Sequence, residues 1–124
     1  MLVLCRRVIA GLLTETLEKR RHMEARCVYD FKKAVSEAAS CRPHIALVEI
    51  PEKNGYPAAE TLELCGEIKK ASPSCKIVLM CPEQDKESVY ICTEAKKKNE
   101  IEGFLFYDTT VDYLVAILES LLPA

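Results

Sequence analysis

His44-Ile45-Ala46-Leu47-Val48-Glu49-Ile50 is an almost uninterrupted apolar run that closes on a carboxylate, entered through Pro43 and left at Pro51. So short a run, bounded by prolines, predicts a strand buried on both faces. Glu49 then stands where that strand leaves the sheet. In open parallel α/β sheets, ligands and chemistry gather at the carboxyl ends of the strands. The surroundings of Glu49 therefore decide what the chain does.

Toward the N-terminus, Arg42-Pro43 ends a helix that runs back through Ser40 to Asp30, a plausible N-cap. Ala34, Val35, Ala38 and Ala39 form its apolar stripe. Met23 to Tyr29 predicts a weaker strand before it. Arg6 to Arg21 predicts a helix whose Val8, Ile9, Leu12, Leu13, Thr16 and Leu17 share one face, with Glu15, Glu18, Lys19 and Arg20 outside. Met1 to Cys5 is a short apolar strand.

Toward the C-terminus, Pro51 to Pro57 has loop composition, with Asn54-Gly55 inside it. Ala58 to Ala71 predicts a helix with Leu62, Cys65 and Ile68 inward, closed by Ser72-Pro73. Lys76 to Cys81 is a strand apolar on both faces. Pro82 to Glu100 reads as a polar, lysine-rich helix with a thin stripe of Val89, Cys92 and Ala95. Gly103 to Tyr107 is a last strand. Asp108 or Thr109 is placed to cap a final helix whose Val111, Leu114, Val115, Leu118 and Leu121 face the core.

Five strands alternating with five helices predict an α/β, flavodoxin-like (βα)5 fold: a three-layer sandwich around a parallel five-stranded sheet of order 2-1-3-4-5. At 124 residues the chain is expected to form one domain with a real core. A formal net charge of −2, with scattered basic residues, argues against direct nucleic-acid contact by this segment. No apolar run reaches membrane-spanning length, and the N-terminal charge order is wrong for a signal peptide, so a cytoplasmic protein is expected. The seven cysteines include no CxxC pair and have no His at metal-ligand spacing. Most lie in apolar runs and read as reduced core residues, where a thiol behaves as a small hydrophobe.

The layout, with an acid ending the third strand, resembles the receiver domain of bacterial two-component response regulators. Pro43-His-Ile-Ala-Leu-Val-Glu49 is similar to that family's Pro-Asp, apolar run, Asp. Ser72-Pro-Ser-Cys-Lys-Ile-Val-Leu-Met80 resembles its approach to the fourth strand. Gly103-Phe-Leu-Phe-Tyr-Asp-Thr-Thr-Val-Asp-Tyr-Leu114 is similar to receivers that precede a LuxR-type helix-turn-helix domain. The resemblance covers the whole chain. It implies a phosphoryl transfer from a histidine kinase to an aspartate, with two acids holding Mg²⁺, a Ser or Thr ending strand four and a Lys ending strand five. This chain departs at each position. Glu49 stands at the acceptor position, Cys5 and Arg6 (with Arg7 beside them) at the acids, Cys81 at the hydroxyl and Tyr107 at the lysine.

A thiol and a guanidinium do not supply the oxygen ligands Mg²⁺ takes. Arg6 or Arg7 is instead suited to pair with Glu49. The implied protein is a degenerate receiver, not an enzyme, that needs no cofactor and no metal. Two readings of Glu49 stay open: a standing mimic of the phosphorylated state, or a strand-end acid satisfied by backbone amides or a nearby arginine. Glu52-Lys53-Asn54-Gly55 reads as an insertion beside the pocket. Protein partners are expected on the fourth helix, fifth strand and fifth helix, either as a homodimer or with a kinase or a DNA-binding output domain. Tyr90, Ile91 and Tyr113 are the contact candidates there. Phe104, at the family's switch-aromatic position, has a core role.

A reading from a different class starts at Cys5. A cysteine ending the first strand is similar to the phosphocysteine subunits of sugar phosphotransferase systems, and a tyrosine-phosphatase loop is related chemistry. The first needs a cradle of small residues, where Arg6 to Ala10 are bulky, and the second needs an arginine where Gly11 stands.

Overall fold

The computed structural model describes residues 2–3, 7–21, 25–51 and 57–122, with side chains described over 11–19, 25–51 and 58–122. The strands are β1 (Leu2–Val3), β2 (Cys27–Val28), β3 (Ile45–Glu49), β4 (Lys76–Cys81) and β5 (Gly103–Phe106). The helices are α1 (Arg7–Arg21), α2 (Ala34–Cys41), α3 (Pro57–Ala71), α4 (Lys86–Lys97) and α5 (Val111–Ser120). The strands form one parallel sheet in the order β2-β1-β3-β4-β5, as the alternation of elements predicts.

The pleat sends successive side chains to opposite faces and so divides the core in two. Ala46, Val48 and Ile50, with Ile77, Leu79 and Cys81, join Ala34, Ala38, Cys65, Ile68, Cys92 and Ala95 in a first cluster beneath α2, α3 and α4. Ile45, Leu47, Val78 and Met80 join Leu13, Leu17, Leu114, Val115 and Leu118 in a second beneath α1 and α5. The first cluster contains many alanines and cysteines; the second is built from larger aliphatic side chains. β3 is buried along its whole length, as its unbroken apolar sequence requires.

Several boundaries move relative to the sequence reading. Asp30 does act as a cap, accepting from the Lys32 amide at 3.0 Å, but it opens a single 3-10 turn over Phe31–Lys33, and α2 begins only at Ala34. That helix stops where Arg42 takes a left-handed conformation (φ 46°) and returns its amide to the Ala38 carbonyl at 2.9 Å. This αL turn aims Pro43 into β3. Leu12 is 52 % exposed rather than inward. Ala39 is exposed as well. Helix α4 ends at Lys97, and Asn99 (φ 60°) turns the chain toward β5.

The cap of α5 is Thr110, not Asp108 or Thr109. Its side-chain oxygen accepts from the Tyr113 amide at 3.2 Å. A Thr110→Ala variant will lose about 0.5–2 kcal/mol, the usual cost of an N-cap. The check is a lower urea midpoint at an unchanged m-value. At the far end of the same helix, Lys76 of β4 donates to the Leu121 carbonyl at 3.0 Å, tying the last turn back to the sheet.

Candidate functional site

The carboxyl end of the sheet is fixed by the β3–β4 ladder. Glu49 pairs in register with Met80, and the Ile50 amide donates to the Met80 carbonyl at 2.9 Å, one residue past the strand. Glu49 is only 3 % exposed and has a polar partner. Burying a carboxylate without one would be very costly. By the alternation of β3 it shares a face with Ile45 and Leu47, the α1/α5 side. Ile50 and Pro51 continue inward, both buried, so the chain does not leave the core directly after the acid.

Cys81 closes β4 and is fully buried, but it belongs to the first cluster, on the α3/α4 side. Its thiol donates to the Pro82 carbonyl at 3.6 Å. The neighbouring Cys92 thiol of α4 holds the Cys81 thiol below its ordinary value, against the opposing effects of burial and of Asp85. The Cys92 thiol is pushed up by its Cys81 neighbour and by burial. Tyr107 lies one residue beyond β5 rather than in it, half-buried against the second cluster. Cys5 and Arg6 lie outside the described residues, as do Glu52 to Gly55, and Arg7 is described only as the first residue of α1.

On the α4–β5–α5 side, Tyr90 is 66 % and Tyr113 55 % exposed. Ile91 is different: it is half-buried and packs on the first cluster, so the core uses it. Phe104 also packs there, and its ring meets Phe106 edge-on, with centroids 6.0 Å apart at 73°. All four residues of β5 are half-buried, as expected for the last strand of an open sheet.

Two features had no signal in the sequence. One is the nearness of Cys92 to Cys81, which brings the middle of a helix beside a strand end. The other is a cavity of about 440 Å³ beside β2, where Arg26 reaches Glu37 at 3.0 Å across Val28, Asp30 and Lys33. Among the described residues, no group of three or more His, Cys, Asp or Glu is arranged to hold a metal ion. No described helix is long and apolar enough to cross a membrane.

No protein-family model matches the chain, and no curated protein matches it. Solved structures do. An adenylate cyclase from Rhodopirellula baltica superposes with a TM-score of 0.81 at 16% identity, over 97% of this chain and 83% of that one. A two-component response regulator from Clostridium difficile gives 0.77 at 17% identity, over 97% and 91%. The signal receiver domain of a modulated diguanylate cyclase from Desulfovibrio desulfuricans gives 0.70 at 25% identity, over 96% and 88%. Together with the strand order, these likenesses establish the architecture as the flavodoxin-like fold of response-regulator receiver domains.

Proposed function

We propose that this chain is a degenerate receiver: a signalling interaction module that is not switched by phosphoryl transfer at the end of β3. The observation that carries the reading is Glu49, a buried, partnered carboxylate where the receiver fold places its phosphate acceptor. Glutamate is one methylene longer than aspartate, so its oxygens reach toward the place an aspartyl phosphate's oxygens would occupy. A carboxylate already engaged in the core acts as a standing charge rather than a nucleophile waiting for a donor.

The neighbouring positions support this. The acids that hold Mg²⁺ in receivers are replaced by Cys5 and Arg6. Mg²⁺ takes oxygen ligands, and the residue paired with Glu49 in the ladder is Met80. This donor set does not fit the metal. Arg6 and Arg7 are suited to supply the positive charge instead. The thiol of Cys81, turned into the core, takes the hydroxyl position, and Tyr107 takes the lysine position.

Function in such a module lies in what it docks. The α4–β5–α5 side presents Tyr90 and Tyr113, two exposed tyrosines flanking a half-buried strand. Aromatic side chains with a polar tip are enriched at protein interfaces. A second copy, a kinase or a DNA-binding output domain is the class of partner this side suits, with transcriptional control as the setting.

Acetyl phosphate or a phosphohistidine donor is expected to leave the chain unlabelled. Mg²⁺ with beryllofluoride, a phosphoryl mimic, is expected to leave its amide NMR shifts unchanged. Stoichiometric labelling, or a saturable metal-dependent shift centred on Glu49, would overturn the proposal.

A further inference from the structure

β2 is the edge of the sheet: β1 pairs with it on one side, and among the described residues no strand lies on the other. An edge strand presents a row of outward N–H and C=O groups, a template for another strand. The backbone is still extended at Asp30 (φ −102°, ψ 109°), two residues past the ladder. Val28 packs in the first cluster, whereas Cys27 and Tyr29 pack against the second, so Arg26, Val28 and Asp30 share the α2 face. The cavity of about 440 Å³ beside this edge is lined also by Lys33 and Glu37. Its charges alternate in chain order, Arg26, Asp30, Lys33, Glu37, and sum to zero. A strongly acidic or basic peptide finds no match in such a lining, but a lining of alternating sign can match itself after rotation. We propose that β2 is a self-association edge, on which a second copy of this chain adds its own β2, antiparallel, about a two-fold axis at Val28.

The axis fixes the register. Val28 lies opposite Val28 of the second copy, Arg26 opposite its Asp30, and Asp30 opposite its Arg26, so the contact is isologous. Residues directly opposite on one face of an antiparallel pair have Cβ atoms roughly 5 Å apart, where opposite charges attract and like charges repel. Both side chains have capacity for the new contact. Asp30 gives one carboxylate oxygen to the Lys32 amide and has a second oxygen to offer. Arg26 reaches Glu37 at 3.0 Å through one terminal nitrogen, and a guanidinium carries five donors. Each end of the contact gathers Arg26 and Glu37 of one copy with Asp30 and Lys33 of the other, two charges of each sign. A one-residue slip breaks both Arg26–Asp30 pairs, so the charges specify the register.

The edge is short, with Cys27 and Val28 alone in the ladder to β1, so the association is weak and reversible. Arg26 and Asp30 are exposed, and salt screens charges of that kind, so high ionic strength weakens it further. β2 lies at the opposite end of the sheet from β5. A copy seated on β2 therefore leaves Tyr90 and Tyr113 open to a different partner. The pairing does not depend on how Glu49 is read, and its test uses no phosphoryl donor.

The experiment follows the full chain, reduced and at low salt, by sedimentation equilibrium and by amide NMR over a dilution series reaching millimolar concentration. The expected result is a monomer–dimer equilibrium, with concentration-dependent shifts at residues 26–30, 33 and 37 and none at Tyr90 or Tyr113. Arg26→Glu and Asp30→Lys are each expected to weaken the dimer about tenfold or more, because two like-charge contacts replace two opposite ones. An equimolar mixture of the two variants is expected to associate again, since one chain is then acidic at both positions and the other basic at both. That restoration would also show that both variants are folded. The proposal falls if the parent chain stays monomeric throughout, or if its concentration-dependent shifts centre on Tyr90 and Tyr113. It falls equally if the two variants, folded by circular dichroism, associate no better mixed than alone; should either variant fail to fold, the shift map of the parent chain decides.

Discussion

Leu79→Ala will cost about 2–5 kcal/mol of stability, the range for truncating a fully buried leucine. Leu79 is 0 % exposed at the centre of β4, an interior strand with neighbours on both sides and helices on both faces. It projects into the first cluster between Ile77 and Cys81. Both adjoining strands are held in the ladder, Val48 on one side and Phe104 on the other, so the walls of the cavity have little freedom to collapse. For a domain of this size the melting temperature should fall by roughly 3–5 °C per kcal/mol. Leu12→Ala, on the exposed side of α1, is the control and should stay within about 0.5 kcal/mol of the parent. Equal losses in the two variants would mean that the first cluster is not the centre of stability.

The second large effect is alkaline. Burial pushes the Cys65 thiol up from about 9.0 to about 12, with Cys75 adding to the rise. A thiol is neutral when protonated, so the folded state holds this proton more tightly than the unfolded chain does. The associated stability is fully present below pH 9 and is lost as the pH climbs from there toward 12. A shift of this size corresponds to roughly 4 kcal/mol across the window. Cys75 is raised in the same direction and steepens the loss. Urea midpoints measured from pH 8 upward should therefore fall, and Cys65→Ala should flatten the fall while lowering the starting value. An unchanged alkaline slope in that variant would remove Cys65 from the explanation.

The strands that could be read residue by residue, Ile45–Glu49 and Lys76–Cys81, are those whose sequences are apolar on both faces. Their burial is a property of composition, which a sequence displays directly. The cap of α5 was harder because Asp108, Thr109 and Thr110 all have the right chemistry. Only the backbone decides among them, and it gives Thr110 the extended conformation a cap requires. Leu12 was misplaced because a repeat of paired apolar residues describes a wider stripe than α1 buries.

The site divides in the same way. That Glu49 sits at a strand end follows from the run before it. That Cys81 lies on the α3/α4 side follows only once pleat and register are known together. The nearness of Cys92 to Cys81 depends on how α4 lies over the sheet, and no local pattern encodes that. Ile91 illustrates the same dependence, because its place against the core is set by packing and not by its neighbours in sequence.

The unequal make-up of the two core layers has a consequence for how this sequence can drift. On the α2–α4 side, Ala34, Ala38, Ala46, Ala58 and Ala95 sit among four cysteines, all at 2 % exposure or less. Each added methylene there meets close-packed neighbours and forces strain. On the α1/α5 side, Leu47, Met80, Leu114 and Leu118 can exchange volume with one another, and methionine fills irregular gaps. Neutral substitutions should therefore accumulate beneath α1 and α5. The opposite layer, which holds these alanines and cysteines, should change slowly, and descendants of this chain would keep its small-residue face long after the rest had become unrecognisable.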